Sequence, residues 1–144
     1  MTLDPDKRRA AASLFSRVFD LDGHDERPTS DRPLVRLCSL ILLECIASRV
    51  SDLQLSLVEN KGVATVQLQG SWKEMMNYPA PMHGAMVNRF KVMANLDLAK
   101  QPTQEGELRV RGHGREVRIR ITVRKEPTGA EEALLHFPDD VTDR

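Results

Sequence analysis

The sequence predicts an α+β domain in which helices pack mainly on one face of an antiparallel sheet of about five to six strands. Apolar residues recur at helical spacing in three segments, and elsewhere they alternate with polar residues as in half-buried strands. Short turns separate the alternating segments, and short turns join antiparallel neighbours. The 144 residues are enough for one domain with a core of its own.

The first predicted helix begins at Asp4 and Pro5, because proline is favoured at the first helical position. Its apolar stripe comprises Ala11, Leu14, Phe15, Val18 and Phe19. Residues 20–33 are rich in Asp, Gly, Ser and Pro, which is typical of an exposed loop. We therefore assign residues 1–30 to an N-terminal helix and linker, residues 31–138 to the α+β domain, and residues 139–144 to a polar tail.

The second predicted helix is capped by Ser30 or Asp31 and is apolar at nearly every position from 34 to 46. A helix of this kind is buried on more than one side, so we expect it at the centre of the fold. Cys38 and Cys45 lie on one face of it, about two turns apart, which is too far for a disulfide. We expect both to be small buried hydrophobic residues.

Period-two alternation predicts strands at residues 53–57 and 64–68, joined by a turn at residues 59–62. After a turn at Gly70, a weaker third strand covers residues 72–77. Prolines then end this strand and open a third helix, which we expect to end near position 99. Its stripe of Met82, Met86, Phe90 and Met93 predicts core packing rather than a methionine-rich binding surface.

The pattern of the C-terminal part of the chain predicts further strands. A loop at Pro102, Thr103 and Gly106 precedes a short strand at Leu108 and Val110. The remaining elements are a tight turn at residues 112–114 that requires positive φ, the most regular strand at 117–123, a turn at 127–129 and a last strand at 133–137. The expected core comprises Leu53, Leu55, Val66, Leu68, Val117, Ile119 and Ile121 on the sheet and Leu37, Ile41, Cys45, Phe90 and Met93 on the helices.

Composition argues against several classes of function. The 21 basic and 21 acidic residues cancel, so no overall field attracts nucleic acid or anionic lipid. Aromatic residues make up only 4% of the chain, which leaves few platforms for stacked bases. The apolar run at residues 40–43 is too short to cross a bilayer, and the first residues lack the apolar segment of a signal peptide. We expect a cytoplasmic protein with no nucleic-acid partner and no transmembrane segment.

The sequence contains no motif of known catalytic chemistry. GxxxxGK[ST], GxGxxG before a helix, HExxH, CxxC and GxSxG are all absent. The histidines His24, His83, His113 and His136 are scattered over different predicted elements. We therefore expect no catalytic residues, no metal ligands, no cofactor and no enzymatic activity.

One charge pattern stands out, because six arginines project from two neighbouring strand segments: Arg109, Arg111, Arg115, Arg118, Arg120 and Arg124. Arginine forks suit phosphates and carboxylates, so Arg109, Arg111, Arg118, Arg120 and Arg124 form a candidate face for an anion, a nucleotide or an acidic partner. The competing interpretation is a solvated sheet face whose charge is balanced by Glu107 and Glu116. The second interpretation is favoured, since surface charges are seldom functional.

Several segments resemble, in the same order, motifs of the type II secretion and type IV pilus assembly ATPases. Residues 90–99 (FKVMANLDLA) resemble the helix IKxMAxLDIAE of that family. Residues 50–55 resemble ASDIHIE, residues 68–72 stand at RIDGxL, residues 104–107 stand at PQDGR, residues 114–120 resemble GREVDLRVS, and residues 127–128 resemble LPT. The resemblance extends over residues 34–137.

The resemblance implies the N-terminal, PAS-like domain that precedes the ATPase core of these motors. In the family this domain packs on the core of a neighbouring subunit in a hexamer and supplies two arginines towards the nucleotide. Arg120 matches the second arginine, whereas Glu107 replaces the first and would repel a triphosphate. Gln54 replaces the family histidine, and the sequence has no core with its P-loop.

The resemblance favours a non-catalytic interaction module that docks on a secretion or pilus motor assembly. We expect a protein partner, with self-association as an open option, and contact with the inner membrane only through that partner. The alternative is a PAS-like sensor that binds a small ligand or a nucleotide through the arginine face.

Overall fold

The computed structural model describes residues 17–22 and 33–138. The elements are β1 (Val18–Asp20), α1 (Pro33–Ser48), β2 (Asp52–Val58), β3 (Lys61–Leu68), β4 (Ser71–Pro79), α2 (Ala80–Met93), β5 (Thr103–Gly112), β6 (Arg115–Lys125) and β7 (Glu131–His136). Within this part of the chain the strands form one sheet in the order β1-β5-β6-β7-β2-β3-β4. All neighbours are antiparallel except β1 and β5. The α+β class with a mostly antiparallel sheet is confirmed.

The described sheet has seven strands rather than five or six, because residues 18–20 form a strand. The prediction that Val18 and Phe19 belong to a helical stripe is therefore wrong. Val18, Phe19 and Asp20 pair in parallel with Arg109, Val110 and Arg111. The prediction of an exposed loop at residues 20–33 is also wrong at its start, since Asp20 belongs to β1 and Leu21 is buried. The earlier part of the predicted first helix, residues 23–32 with His24, and the tail at 139–144 lie outside the described residues.

Three hairpin turns of two residues set the register of the sheet. In each turn both residues have positive φ: Glu59 and Asn60, Gln69 and Gly70, and His113 and Gly114. This geometry matches the right-handed twist of the strands that it joins. Gly112 is not one of these residues, contrary to the prediction for the turn at 112–114. It is needed for space, since a Cβ there would lie 3.0 Å from Leu43 and 3.1 Å from Ile46.

Two element boundaries differ from prediction. The helix α2 ends at Met93 instead of near Ala99, because Asn95 adopts the left-handed conformation (φ 59°). Asparagine tolerates this conformation well, and it commonly follows the end of a helix. The predicted loop at Pro102, Thr103 and Gly106 is mostly strand, since β5 begins at Thr103.

The core lies between the two described helices and the face of the sheet that they cover. Every residue of the predicted core belongs to it, with Leu37 and Leu68 only partly buried. The two cysteines are 1% exposed, as predicted. Burial raises the pKa of the Cys38 and Cys45 thiols to about 12, so both stay protonated at neutral pH.

A chain of buried polar groups fastens α2 to the sheet. Tyr78 donates its hydroxyl hydrogen to His83 Nδ1 at 2.7 Å, and His83 Nε2 lies 2.6 Å from the carbonyl oxygen of Glu131. Because a carbonyl can only accept, Nε2 carries the proton. The Lys91 Nζ contacts both carboxylate oxygens of Glu131, at 2.7 and 2.8 Å. Burial raises the pKa of the Tyr78 hydroxyl well above its usual value, so it remains a donor.

Candidate functional site: the open face of the sheet

The side of the sheet that α1 and α2 do not cover is polar, and we call it the open face. Its side chains alternate along each strand with the buried residues of the core. Its charged or titratable members are Asp20, Asp52, Lys61, Glu74, Glu105, Glu107, Arg109, Arg111, Glu116, Arg118, Arg120, Arg124, Glu132 and His136. The open face therefore carries both signs of charge, with the arginines concentrated on β5 and β6.

All five arginines of the candidate face lie on the open face, but Arg115 does not. Arg115 stands opposite Gly112, on the side of the helices, where it lines a shallow depression with Cys45, Val50 and Phe137. The prediction that Arg115 projects with the other five arginines is therefore wrong. The two-residue alternation of β6 excludes Arg115 from the open face.

Two of the five arginines are held by carboxylates. Arg109 donates from Nε and from one terminal nitrogen to the same oxygen of Glu116, at 3.1 and 2.6 Å. Arg109 also stands directly opposite Arg118, and like charges in this position repel. Glu116 offsets that repulsion. The hydrogen bond from Arg109, and the charges of Arg109, Arg111 and Arg118, lower the pKa of Glu116.

The second ion pair belongs to a chain of contacts across three strands. Arg124 of β6 donates to one oxygen of Glu132 at 2.6 Å, and Gln54 of β2 donates to the other at 2.7 Å. Glu132 lies on β7, between these strands. Both carboxylate oxygens of Glu132 are thus occupied by hydrogen bonds, and Arg124 is held in place. Arg124 therefore stabilises the sheet and is not available for a partner.

The other three arginines are available. Within residues 17–22 and 33–138, Arg111, Arg118 and Arg120 form no hydrogen bond or ion pair through their side chains, and all three are exposed. Glu107 lies directly opposite Arg120 in the register, without an ion pair between them. The position at which the resemblance implies an arginine is thus occupied by a carboxylate beside Arg120.

A row of directly opposed residues crosses the open face from Arg120 to the far edge. It runs from Arg120 through His136, Asp52 and Gln67 to Trp72. His136 donates from Nδ1 to Asp52 at 2.9 Å, which ties β7 to β2. At about 4.8 Å per strand, Trp72 lies about 19 Å from Arg120.

Two residues of interest were not predicted from the sequence: Trp72, which lies on the surface, and Lys91, which lies in the core. Trp72 is 48% exposed at the edge strand β4. Lys91 is fully buried, and it lies four residues after Val87 and one after Phe90, on the buried stripe of α2. Helical spacing alone would have indicated this burial, whereas nothing local identifies Glu131 as its partner.

The described residues contain no group of three or more His, Cys, Asp or Glu side chains that could hold a metal ion. None of their helices is long and apolar enough to cross a membrane. Chemically, the open face offers guanidinium groups for carboxylates or phosphates at one end and an aromatic surface at the other.

The chain is similar in sequence to characterised secretion and pilus proteins. The chain is 34% identical over 129 residues to type II secretion system protein E of Pseudomonas aeruginosa, and 31% identical over 120 residues to that of Dickeya dadantii. It is 30% identical over 99 residues to the type IV pilus assembly ATPase PilB of Myxococcus xanthus. The chain is homologous to part of these secretion and pilus proteins. The resemblance seen in the sequence is confirmed.

The homology covers most of this chain but little of its relatives. The three alignments include 89%, 83% and 67% of the chain, and 25%, 23% and 18% of the relatives' own lengths. The chain thus spans about a quarter, or less, of the secretion and pilus proteins that it matches. No protein-family model matches it. The relationship indicates a role connected with secretion or pilus assembly.

Proposed function

We propose that the chain is a non-catalytic protein-interaction module that docks on a secretion or pilus motor assembly through the open face. The observation that carries this proposal is the presence of three exposed arginines, Arg111, Arg118 and Arg120, whose side chains form no hydrogen bond or ion pair within residues 17–22 and 33–138. The homology to secretion and pilus proteins supplies the class of partner. The PAS-like character of the fold belongs to the same proposal, and any contact with the inner membrane comes through the partner.

The layout of the open face supports protein docking. Arginine and tryptophan are the residues most enriched at the energetic centres of protein interfaces. Arg120 and Trp72 mark the two ends of one row across the face, about 19 Å apart. One side of a standard interface buries about 800 Å², which is about 30 Å across and wide enough to include both residues. The polar residues between them suit a partner that is itself a folded, partly polar surface.

The carboxylate at Glu107 supports a protein partner over a nucleotide. Glu107 lies opposite Arg120, where a triphosphate would meet a negative charge as well as the arginine. A protein surface can present acidic groups to the arginines and a basic or amide group to Glu107. We therefore place the nucleotide-sensing alternative among the outcomes of the test.

The test is a binding titration of the purified chain against the type II secretion or type IV pilus ATPase encoded in the same genome. We expect saturable binding that weakens as salt is added, because charged contacts are screened. A parallel assay follows ATP hydrolysis by the chain alone, and we expect none. Motor-like ATP hydrolysis by the chain, or absence of binding to the ATPase at low salt, would overturn the proposal. Calorimetric binding of a nucleotide, lost with Arg120→Ala, would favour the sensor instead.

A further inference from the structure

The outer edge of β5 is covered by a short segment from a distant part of the chain. Val18–Asp20 pairs with it in parallel over three residues, and Leu21 continues the contact by donating its N–H to the carbonyl of Arg111 at 2.7 Å. An uncovered strand edge offers a row of backbone donors and acceptors that readily accepts another strand. Three paired residues are fewer than the five or six of a typical strand.

Alternate side chains of this segment point towards the helices and are bound there. Phe19 packs at the margin of the core, with the guanidinium groups of Arg17 and Arg89 at 5.0 and 5.3 Å from its ring centre. Leu21 is only 6% exposed and lies beside Gly112, together with Leu43. The absence of a side chain at Gly112 leaves the room that Leu21 and its neighbours occupy.

The segment ends on a charged anchor. The carboxylate of Asp22 accepts the backbone N–H of His113 at 2.7 Å and that of Gly114 at 3.1 Å. These two residues form the β5–β6 turn, and their positive φ angles direct both N–H groups towards the carboxylate. The ring of His113 in turn bonds to the carbonyl of Leu43 at 3.0 Å, which fixes the turn against α1.

Main-chain pairing, two pockets for alternate side chains and a terminal charge make up the usual recognition of a peptide by an added strand. We propose that the outer edge of β5 is a strand-acceptor site for an extended segment of a partner protein. That segment has two apolar side chains separated by one residue and followed by Asp, and residues 17–22 fill the site in cis. The chain's own occupant shows what the site accepts. This site is a sheet edge and is independent of the open face.

Because residues 17–22 already fill the site, they lower the apparent affinity of the site for a partner segment. Ten residues, 23–32, connect the segment to α1. A short connector of this kind gives an effective concentration of about 1 mM or more. A competing segment binds only to the fraction of molecules whose edge is open, so its apparent affinity is reduced by that fraction. Weakening the cis segment therefore strengthens binding in trans.

The probe is a labelled synthetic peptide with the sequence of residues 17–22 (RVFDLD), added to the full chain. We expect the variant Phe19→Ala/Leu21→Ala to bind it at least about tenfold more tightly than the native chain does. A peptide in which the last Asp is replaced by Ala should bind neither the native chain nor the variant, because it lacks the carboxylate that accepts the N–H groups of His113 and Gly114. The matched control is Val58→Ala/Leu98→Ala, which removes two exposed apolar side chains elsewhere and should leave peptide binding at the native level. Equal or absent peptide binding in the native chain and the Phe19/Leu21 variant overturns the proposal.

A second measurement needs no variant and guards against failure of the double variant to fold. Excess peptide is added to the native chain while hydrogen exchange of the Leu21 amide is followed, since this N–H bonds to Arg111. Displacement predicts faster exchange at Leu21 with unchanged protection of the β5–β6 pairing. Unchanged exchange at Leu21 at several times the effective concentration overturns the proposal.

Discussion

Two ion pairs on opposite sides of the same sheet have nearly equal lengths and very different surroundings. Lys91 and Glu131 approach to 2.7 Å with 0% and 7% of their side chains exposed. Arg109 and Glu116 approach to 2.6 Å with 22% and 36% exposed. Water competes with the second pair and not with the first. Distance alone therefore says little about how much either pair matters to the fold.

The two sides of the sheet use their charges differently. On the helix side, Lys91 and Glu131 are committed to each other, because removal of one partner would leave the other charge buried and unpaired. On the open face, solvent satisfies a charge whenever its partner is lost. Only charges of the second kind are available for a partner protein.

The largest expected effect is at the buried pair. Lys91→Met leaves the Glu131 carboxylate buried without its counter-charge and should lower the free energy of unfolding by about 3–5 kcal/mol. Urea unfolding of the full chain measures this loss. The double variant Lys91→Met/Glu131→Leu removes both charges and should recover most of it. A loss in the single variant below about 1 kcal/mol would mean that the pair behaves as a surface pair.

The neighbouring hydrogen bond should have an intermediate effect. Tyr78→Phe removes the donor to His83 Nδ1 and leaves a buried acceptor unsatisfied, at a cost of about 1–3 kcal/mol. The exposed aromatic substitution Trp72→Phe serves as the control and should change stability by less than about 0.5 kcal/mol. Thermal unfolding of the two variants side by side checks the difference. Equal stabilities would contradict the assignment of His83 as an acceptor.

The unpaired arginines should contribute almost nothing to folding. Arg118→Ala and Arg120→Ala should each leave the free energy of unfolding within about 0.5 kcal/mol of the native value. The reason is that neither side chain has a hydrogen bond or ion pair with another described residue. Chemical unfolding is the appropriate measurement. A larger loss would place these arginines in the structure of the sheet instead of its binding surface.

The smallest effect concerns Glu116 and depends on pH. Its folded-state pKa is lowered below the ordinary 4.5, so its stabilising contribution is present above pH 4.5 and disappears as the pH falls through the lowered pKa. Glu116→Gln should therefore be slightly less stable than the native chain at neutral pH and low salt. The two should converge in acid and in high salt. Thermal midpoints across the acid range test this, and a difference that grows in acid would contradict it.

The sequence predicted what depends on local periodicity. The strands at residues 53–57 and 117–123, the apolar helix α1 and the core residues follow from repeats of two and of about 3.6 residues. The alternation of β6 likewise places Arg118 and Arg120 on one face.

What the sequence could not predict depends on distant partners. Val18–Asp20 is too short for periodicity to distinguish strand from helix, and its pairing with β5 joins residues about ninety positions apart. The division of the arginines is also non-local, because it depends on where Glu116 and Glu132 fall in the register. The site was thus predicted as a set of residues, while the structure separates those held in ion pairs from those left available.

We propose that the open face binds a motor protein, with Arg118 and Arg120 among its contacts. The direct measurement compares the affinity of the native chain, Arg118→Ala/Arg120→Ala and Lys73→Ala/Lys125→Ala for the ATPase encoded in the same genome. The lysine variant also removes two positive charges, but at exposed positions that do not belong to the open face.

We predict that the arginine variant binds at least about tenfold more weakly with an unchanged unfolding midpoint, while the lysine variant retains near-native affinity. Native affinity in the arginine variant, or an equal loss in the lysine variant, would contradict the claim.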